Sequence, residues 1–219
     1  MRLCVAIDGP AGAGKSTIAK LIAKEFDLMY INTGAMYRAV ALKAEENKLT
    51  SENTNEICEL IDNMEMEFRN DDLYLNGENI QEKITMPEIS AIVSAYASIA
   101  EVRQKLVKLQ RNMSKKFNVI MDGRDIGTVV LIDAPFKIFL TATPEERAER
   151  RYKELIDRNI SCSYDEILKD IIERDYKDSN RAVDPLRKAD DAIEVDTTGL
   201  NIEQVTAKII SIIRNGKQE

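Results

Sequence analysis

Short apolar runs alternate with helical stretches along most of this chain. Residues 3–7, 28–31, 118–121, 137–140 and 192–195 are four- or five-residue runs dominated by apolar side chains, the pattern of buried strands. Between them the apolar spacing lengthens to that of helices. Residues 17–24 place Ile18, Leu21 and Ile22 on one helical face. Asn32, Thr33 and Gly34 have a turn's composition, and residues 35–42 then resume a helical pattern. Pro87 opens a further helical region that runs, with one break near Ala100, to about Lys116. Thr143 and Glu146 make a capping box around Pro144. Asn201 and Gln204 cap a last helix, whose core stripe is Ile202, Val205, Ile209 and Ile212 or Ile213.

One segment has a different period. Met64, Met66 and Phe68 alternate with Glu65, Glu67 and Arg69, and a second run follows at Leu73, Tyr74 and Leu75. Asn76-Gly77 between that run and Glu78, Asn79 and Ile80 is a strong hairpin signal, and Asn70, Asp71 and Asp72 suit the preceding turn. These residues predict a small three-stranded antiparallel meander inserted between core elements. The whole pattern predicts an α/β fold in which a five-stranded, mostly parallel sheet lies between helices. Right-handed crossovers then bring the residues following the first strand, the turn at Asn32 and the residues from Asp122 onward to one sheet edge.

Composition narrows the chemistry. The 219 residues are 44% hydrophobic and 32% charged, enough for a sizeable core in one domain. A net charge of −7 argues against broad binding to nucleic acid or acidic membrane, so an anionic ligand must be met by local basic groups. Cys4, Cys58 and Cys162 are far apart and fit reduced thiols better than a disulfide or zinc framework. With no long apolar stretch near the start or elsewhere, the expectation is a cytoplasmic protein. The chain contains no histidine, which excludes Ser-His-Asp and Cys-His nucleophilic catalysis. Phosphoryl transfer is unaffected, since it depends mostly on positioning and charge stabilisation.

Residues 9–16 supply the chemistry. Gly9, Pro10, Ala11, Gly12, Ala13, Gly14, Lys15 and Ser16 fit G-x-x-x-x-G-K-[ST], lie between a predicted strand and a predicted helix, and lead into Thr17. The glycines let successive N–H groups turn toward phosphate oxygens, and the helix N-terminus adds partial positive charge. Lys15 reaches the outer phosphates and the Ser16 hydroxyl can ligate Mg²⁺. A second charged stretch, Asp122, Gly123, Arg124, Asp125, Ile126, Gly127 and Thr128, reads as a loop at the end of the third strand. From residue 160 to 188 the chain is polar, with Arg174, Arg181 and Arg187 among acids. This suits either a mobile lid carrying cations to phosphates or a solvated helical surface.

Other users of the glycine loop are less compatible. Asn47-Lys48-Leu49-Thr50 lacks the aspartate of a guanine reader, and no D-x-x-G follows the third strand. A motor or transporter ATPase should be longer. A small kinase needs an acceptor site, for which the meander and residues 122–125 provide walls.

Three motifs then make the resemblance specific. Residues 32–38 (Asn-Thr-Gly-Ala-Met-Tyr-Arg), 122–128 (Asp-Gly-Arg-Asp-Ile-Gly-Thr) and 173–181 (Glu-Arg-Asp-Tyr-Lys-Asp-Ser-Asn-Arg) resemble the signatures of bacterial cytidylate kinases. The meander is similar to that family's enlarged acceptor-binding insert. The resemblance implies a single P-loop kinase domain over 1–219, with a core of about 1–35, 101–147 and 190–219. The monophosphate-binding part would be about 36–100 and a helical lid about 148–189. It implies transfer of the γ-phosphoryl group of ATP to CMP or dCMP with Mg²⁺, by a monomer binding small nucleotides. Thr33, Tyr37, Arg38, Ser94, Arg103, Arg124, Asp125, Asp178 and Arg181 would then bind CMP. Lys15, Arg124, Arg174, Arg147 and Arg150 would stabilise the transferring phosphoryl group. The chain departs from the family at Asn32, where aspartate is usual, which leaves Asp122 as the acid behind a metal on Ser16.

Overall fold

A computed structural model describes residues 2–216. Five parallel strands form the main sheet: β1 (Cys4–Asp8), β2 (Met29–Asn32), β6 (Val119–Gly123), β7 (Phe136–Thr141) and β8 (Ile193–Asp196), in the order β2-β6-β1-β7-β8. β1 lies at the centre, and the chain passes from β6 on one side of it to β7 on the other. Its last residue, Asp8, pairs in register with Gly123 and with Phe139, while Asn32 pairs with Asp122. The C-terminal ends of four strands thus meet along one edge, the place where open α/β sheets bind ligands.

Alternate residues of β1 face opposite layers. Ala6 joins Ile31, Val119 and Met121 in a cluster with α2 (Thr33–Glu46), α5 (Pro87–Ala97) and α6 (Ala100–Ser114). Val5 and Ile7 join Ile120, Ile138 and Val195 in a second cluster with α1 (Lys15–Phe26) and α9 (Ile202–Asn215). Strands buried on both faces, as β1 and β6 are, read as continuous apolar runs, whereas β8 at the sheet edge buries only Val195. A third, small cluster of Ala148, Leu155, Ile167 and Ile171 joins α7 (Pro144–Asp157) to α8 (Tyr164–Asn180). Most of the polar stretch after residue 160 is therefore one helix with its own apolar seam.

The meander forms as expected from β3 (Met66–Arg69), β4 (Asp72–Leu75) and β5 (Glu78–Asn79), in order β3-β4-β5. Asn70 and Asp71 take φ of 49° and 69°, and Asn76 and Gly77 take 50° and 83°. Both central residues of each turn are left-handed, the twist that suits a tight hairpin. Asp72 belongs to the strand rather than to the turn. The inward residues Met66, Phe68, Leu73 and Leu75 join the cluster beneath α2 and α6.

Several local expectations are corrected. Asn32–Gly34 is no turn: the Asn32 side chain accepts from Ala35 N at 2.8 Å and caps α2 directly at the strand end. Asp122 and Gly123 complete β6, and residues 126–130 wind into a π-helical turn, so the second charged stretch is less loop-like than its composition suggests. Leu21 and Ile202 are 40% and 50% exposed; Ile18, Ile22, Val205, Ile209 and Ile213 are buried as expected, and Ala19 and Ala23 complete the buried face of α1. The box at Thr143 is half formed. Thr143 accepts from Glu146 N at 3.2 Å, but the Glu146 carboxylate turns to Arg150. The box at Asn201 is complete. Two short helices, α3 (Thr54–Asp62) and α4 (Gln81–Ile84), flank the meander.

Candidate active site

The glycine loop leaves β1 at Gly9, and only glycine fits there. Its φ is 147°, and a Cβ would lie 1.9 Å from the Leu140 carbonyl oxygen. Gly12 and Gly14 are also left-handed, and the loop ends as α1 begins at Lys15. The Lys15 ammonium is buried and donates to Pro10 O at 2.6 Å. Burial first, and Arg124 second, push its pKa well below the ordinary lysine value. Ser16 Oγ donates to Asp122 Oδ2 at 2.7 Å, and Tyr30 OH donates to Asp122 Oδ1 at 3.0 Å. Asn32 Nδ2 donates to Tyr30 OH at 3.1 Å, so its amide completes a polar chain at the end of β2 while its oxygen caps α2. Thr33 Oγ1 closes the group with a 2.7 Å bond to Asp122 O.

A cationic group stands next to this loop. Arg38 on α2, Arg124 after β6 and Arg174 on α8 act on one another electrostatically, and Arg124 and Arg174 also depress Lys15. Burial lowers the Arg38 pKa and, with Arg124, lowers that of Arg174 to about 10. The Nε atoms of Arg38 and Arg174 are buried without a hydrogen-bond partner among the described residues. Arginines crowded together with unmatched donors are suited to a polyanion. Arg124 Nε donates to Asp178 Oδ2 at 2.8 Å. Burial opposes the charge of Asp178, but Arg124 and Arg174 overcome it and hold the carboxyl below its usual range.

A second group lies further along the edge and is balanced in charge. Arg103, only 1% exposed, donates from Nη2 to Asp125 Oδ2 at 2.5 Å, from Nε to Asp184 Oδ2 at 2.8 Å and from Nη1 to Ala97 O at 3.1 Å. Its guanidinium lies 5.4 Å from the centre of the Tyr37 ring, a cation–π distance. Arg181 reaches the other Asp125 oxygen at 3.4 Å and also donates to the Asp184 carbonyl. Burial raises the Asp125 carboxyl while Arg103 and Arg181 pull it back. Ser94 on α5 is partly buried, and its side chain has no hydrogen bond among the described residues.

Two arginines on α7 are occupied elsewhere. Arg147 donates to Ala142 O at 3.0 Å and to Ala11 O at 2.9 Å, and pairs with Asp175 at 2.6 Å, so it joins the glycine loop to α8. Arg150 is turned to Thr197 O at 2.9 Å and to Glu146 at 3.1 Å. Arg151, next along the helix, pairs with Glu154 at 2.7 Å and adds only a weak repulsion to Arg38. Asp8 and Asp184 escaped notice. Asp8 is a carboxylate closing an apolar run just before the glycines. Asp184 lies in a polar stretch and carries no sequence signal.

A glycine loop after the central strand of a parallel sheet, beside a cationic group and a charge-balanced one, defines a P-loop phosphotransferase. The cytidylate kinase family model matches residues 5–215. This chain belongs to the cytidylate kinase family. It is 66% identical over 209 residues to a cytidylate kinase of Clostridium perfringens, with 95% of this chain and 96% of that protein covered. It is 60% identical over 213 residues to one of Clostridium acetobutylicum, with 97% and 98% covered. A solved structure of an uncharacterized protein from Eubacterium ventriosum is similar in fold, with a TM-score of 0.57 at 13% identity over 98% of this chain and 99% of that one.

Proposed function

We propose that this protein transfers the γ-phosphoryl group of ATP to CMP or dCMP, giving ADP and CDP or dCDP. The observation that carries the reading is the division of one sheet edge into the excess-cation group around Lys15 and the balanced group around Arg103. The first suits triphosphate and the transferring phosphoryl group. The second offers both donors and acceptors to an uncharged base. In-line transfer needs two nucleotides held end to end, which two adjacent sites achieve.

Gly9, Pro10, Ala11, Gly12, Ala13, Gly14, Lys15, Ser16 and Thr17 cradle the ATP phosphates. Phosphate charge offsets the burial that disfavours the Lys15 ammonium. Thr33, Tyr37, Arg38, Ser94, Arg103, Asp125, Asp178 and Arg181 form the acceptor site. Arg124 and Arg174 offset charge on the phosphoryl group as it moves. Arg147 and Arg150 add to them once Asp175 and Thr197 release them, which makes α7 and α8 a lid within about 148–189. The monophosphate part is about 36–100 and the core is the remainder.

The oxygen donors at the loop fit Mg²⁺. Ser16 Oγ lies 2.7 Å from Asp122 Oδ2, and no cluster of three or more acidic, histidine or cysteine ligands occurs among the described residues. Mg²⁺ is commonly held by one hydroxyl or carboxylate, water and the nucleotide's own phosphates, rather than by a cage of side chains. Ser16 would hold it with Asp122 behind, and it would neutralise phosphate charge. No helix among the described residues is long and apolar enough to cross a membrane. We read the protein as a cytoplasmic monomer acting on small nucleotides, not nucleic acid.

An ADP-release assay with ATP, Mg²⁺ and each of CMP, dCMP, UMP, AMP and GMP tests this. Strong preference for CMP and dCMP is expected. Preference for another base discards the cytosine contacts, and no turnover with any acceptor discards the kinase.

A further inference from the structure

Asp8 is the last residue of β1 and is 4% exposed. The roles assigned above leave it unused. Its two carboxylate oxygens accept separately, Oδ1 from Ile126 N and Oδ2 from Gly127 N, each at 2.7 Å. The following residue, Gly9, opens the donor loop. The residues preceding Ile126 are Arg124 and Asp125, one in each charged group of the site. One side chain therefore spans from the root of the donor loop to the root of the acceptor segment.

We propose that Asp8 is a positioning residue that couples the two nucleotide sites, holding Arg124 and Asp125 in place relative to the glycine loop through the Ile126 and Gly127 amides. The contact is close. A Cβ on Gly127 would lie 3.3 Å from Asp8 Oδ2 and 3.1 Å from Lys137 Cδ. The charged groups around Asp8 are Asp125 from the segment after β6, Lys15 from α1 and Lys137 from β7, whose ammonium is turned away to Asp191 at 2.7 Å. Burial and Asp125 raise the Asp8 carboxyl to about 6, while the two amides and Lys15 pull it down. A proton on one oxygen removes an acceptor from one of the two N–H groups, so the coupling weakens below that pH.

The reading rests on the proposed kinase activity, and its test carries one measurement that does not. Asp8→Asn offers one oxygen and presents an N–H₂ to the other amide, so amide exchange at Ile126 and Gly127 should quicken at least tenfold at pH 7. In kinetics, KM for CMP should rise at least tenfold and kcat should fall, with ATP affinity, measured by titration without acceptor, unchanged within twofold. Between pH 7 and 5 the wild-type KM for CMP should rise more than that of Asp8→Asn. The acceptor phosphate titrates near 6 for both proteins alike, so the difference belongs to Asp8. If Asp8→Asn fails to fold, Gly127→Ala should give the same pattern at smaller amplitude.

Equal weakening of ATP and CMP, or a lower melting temperature with unchanged amide exchange and KM, overturns the proposal. If the wild type turns over no CMP, the kinase reading fails and amide exchange alone decides the link: faster exchange in Asp8→Asn supports it and unchanged exchange overturns it.

Discussion

Arg103 Nε lies 2.8 Å from Asp184 Oδ2, joining the start of α6 to a residue three positions beyond Arg181. Asp184 holds a left-handed φ of 49°, a conformation that aspartate and asparagine tolerate better than most residues. Its carboxylate grips Arg103 and its carbonyl grips Arg181, the two arginines on either side of Asp125. Asp184→Asn keeps the backbone and removes the charge. The expected loss is about 1.5 kcal/mol, roughly a tenfold rise in KM for CMP. KM for ATP should stay level and the preference for CMP over UMP should narrow. Steady-state kinetics with both acceptors checks this.

Arg174 should act on the moving phosphoryl group rather than on ground-state binding. Its Nε is buried without a partner and its pKa is lowered to about 10, because burial and Arg124 disfavour its charge until an anion arrives. Arg174→Ala should lower kcat on the order of 10³-fold with ATP affinity little changed. A rise in KM at constant kcat would make it a binding residue.

Asp122 holds Ser16 at 2.7 Å and Tyr30 at 3.0 Å. In Asp122→Asn the amide cannot accept at both positions. The Mg²⁺ concentration for half-maximal rate should rise several-fold and kcat should fall. Titrating Mg²⁺ at fixed ATP gives the answer, and an unchanged curve removes Asp122 from the metal site.

Asp8 also makes a stability prediction. Its folded pKa, about 6, stands above the 3.8 of an ordinary aspartate because of burial, so the protonated form is the one the fold favours. This contribution is fully present below the unfolded pKa and is lost as pH rises through about 6. That difference corresponds to on the order of 3 kcal/mol. Relative to Asp8→Asn, the wild type should therefore gain that much unfolding free energy between pH 7 and 4. Urea titrations of both proteins at each pH measure the difference.

Sequence reading went furthest where burial leaves a repeating mark. All five sheet strands, the meander and the glycine loop follow from apolar runs, period-two alternation and Asn-Gly turns. The errors lie where a side chain's partner is remote. Asn32 is a local exception: its composition suits a turn and a helix cap equally, and its side chain caps α2 by accepting from Ala35 N three residues on. Arg147, Arg150 and Arg151 look alike along the helix, but Arg147 bonds to Ala11, 136 residues away, and Arg150 to Thr197, 47 residues away. Asp184 shares its segment with many polar residues, and only the fold brings Arg103 to it. Charged residues have no period, so their roles depend on pairings that the order of the chain does not reveal.

Ala148, Leu155, Ile167 and Ile171 form a cluster of their own, apart from the two that line the sheet. With four buried and five partly buried apolar side chains, this cluster is much smaller than the other two, and polar contacts supply most of what ties α7 and α8 to the core, so they are less well held against local opening than the sheet. That sets an order of vulnerability to a protease. At temperatures where the sheet is intact, cleavage should begin between residues 155 and 167, leaving a resistant fragment that contains β1 to β7. Nucleotides that draw Arg174 and its helix onto phosphate should slow that first cut, so protection of this one bond region would report lid closure without any measurement of turnover.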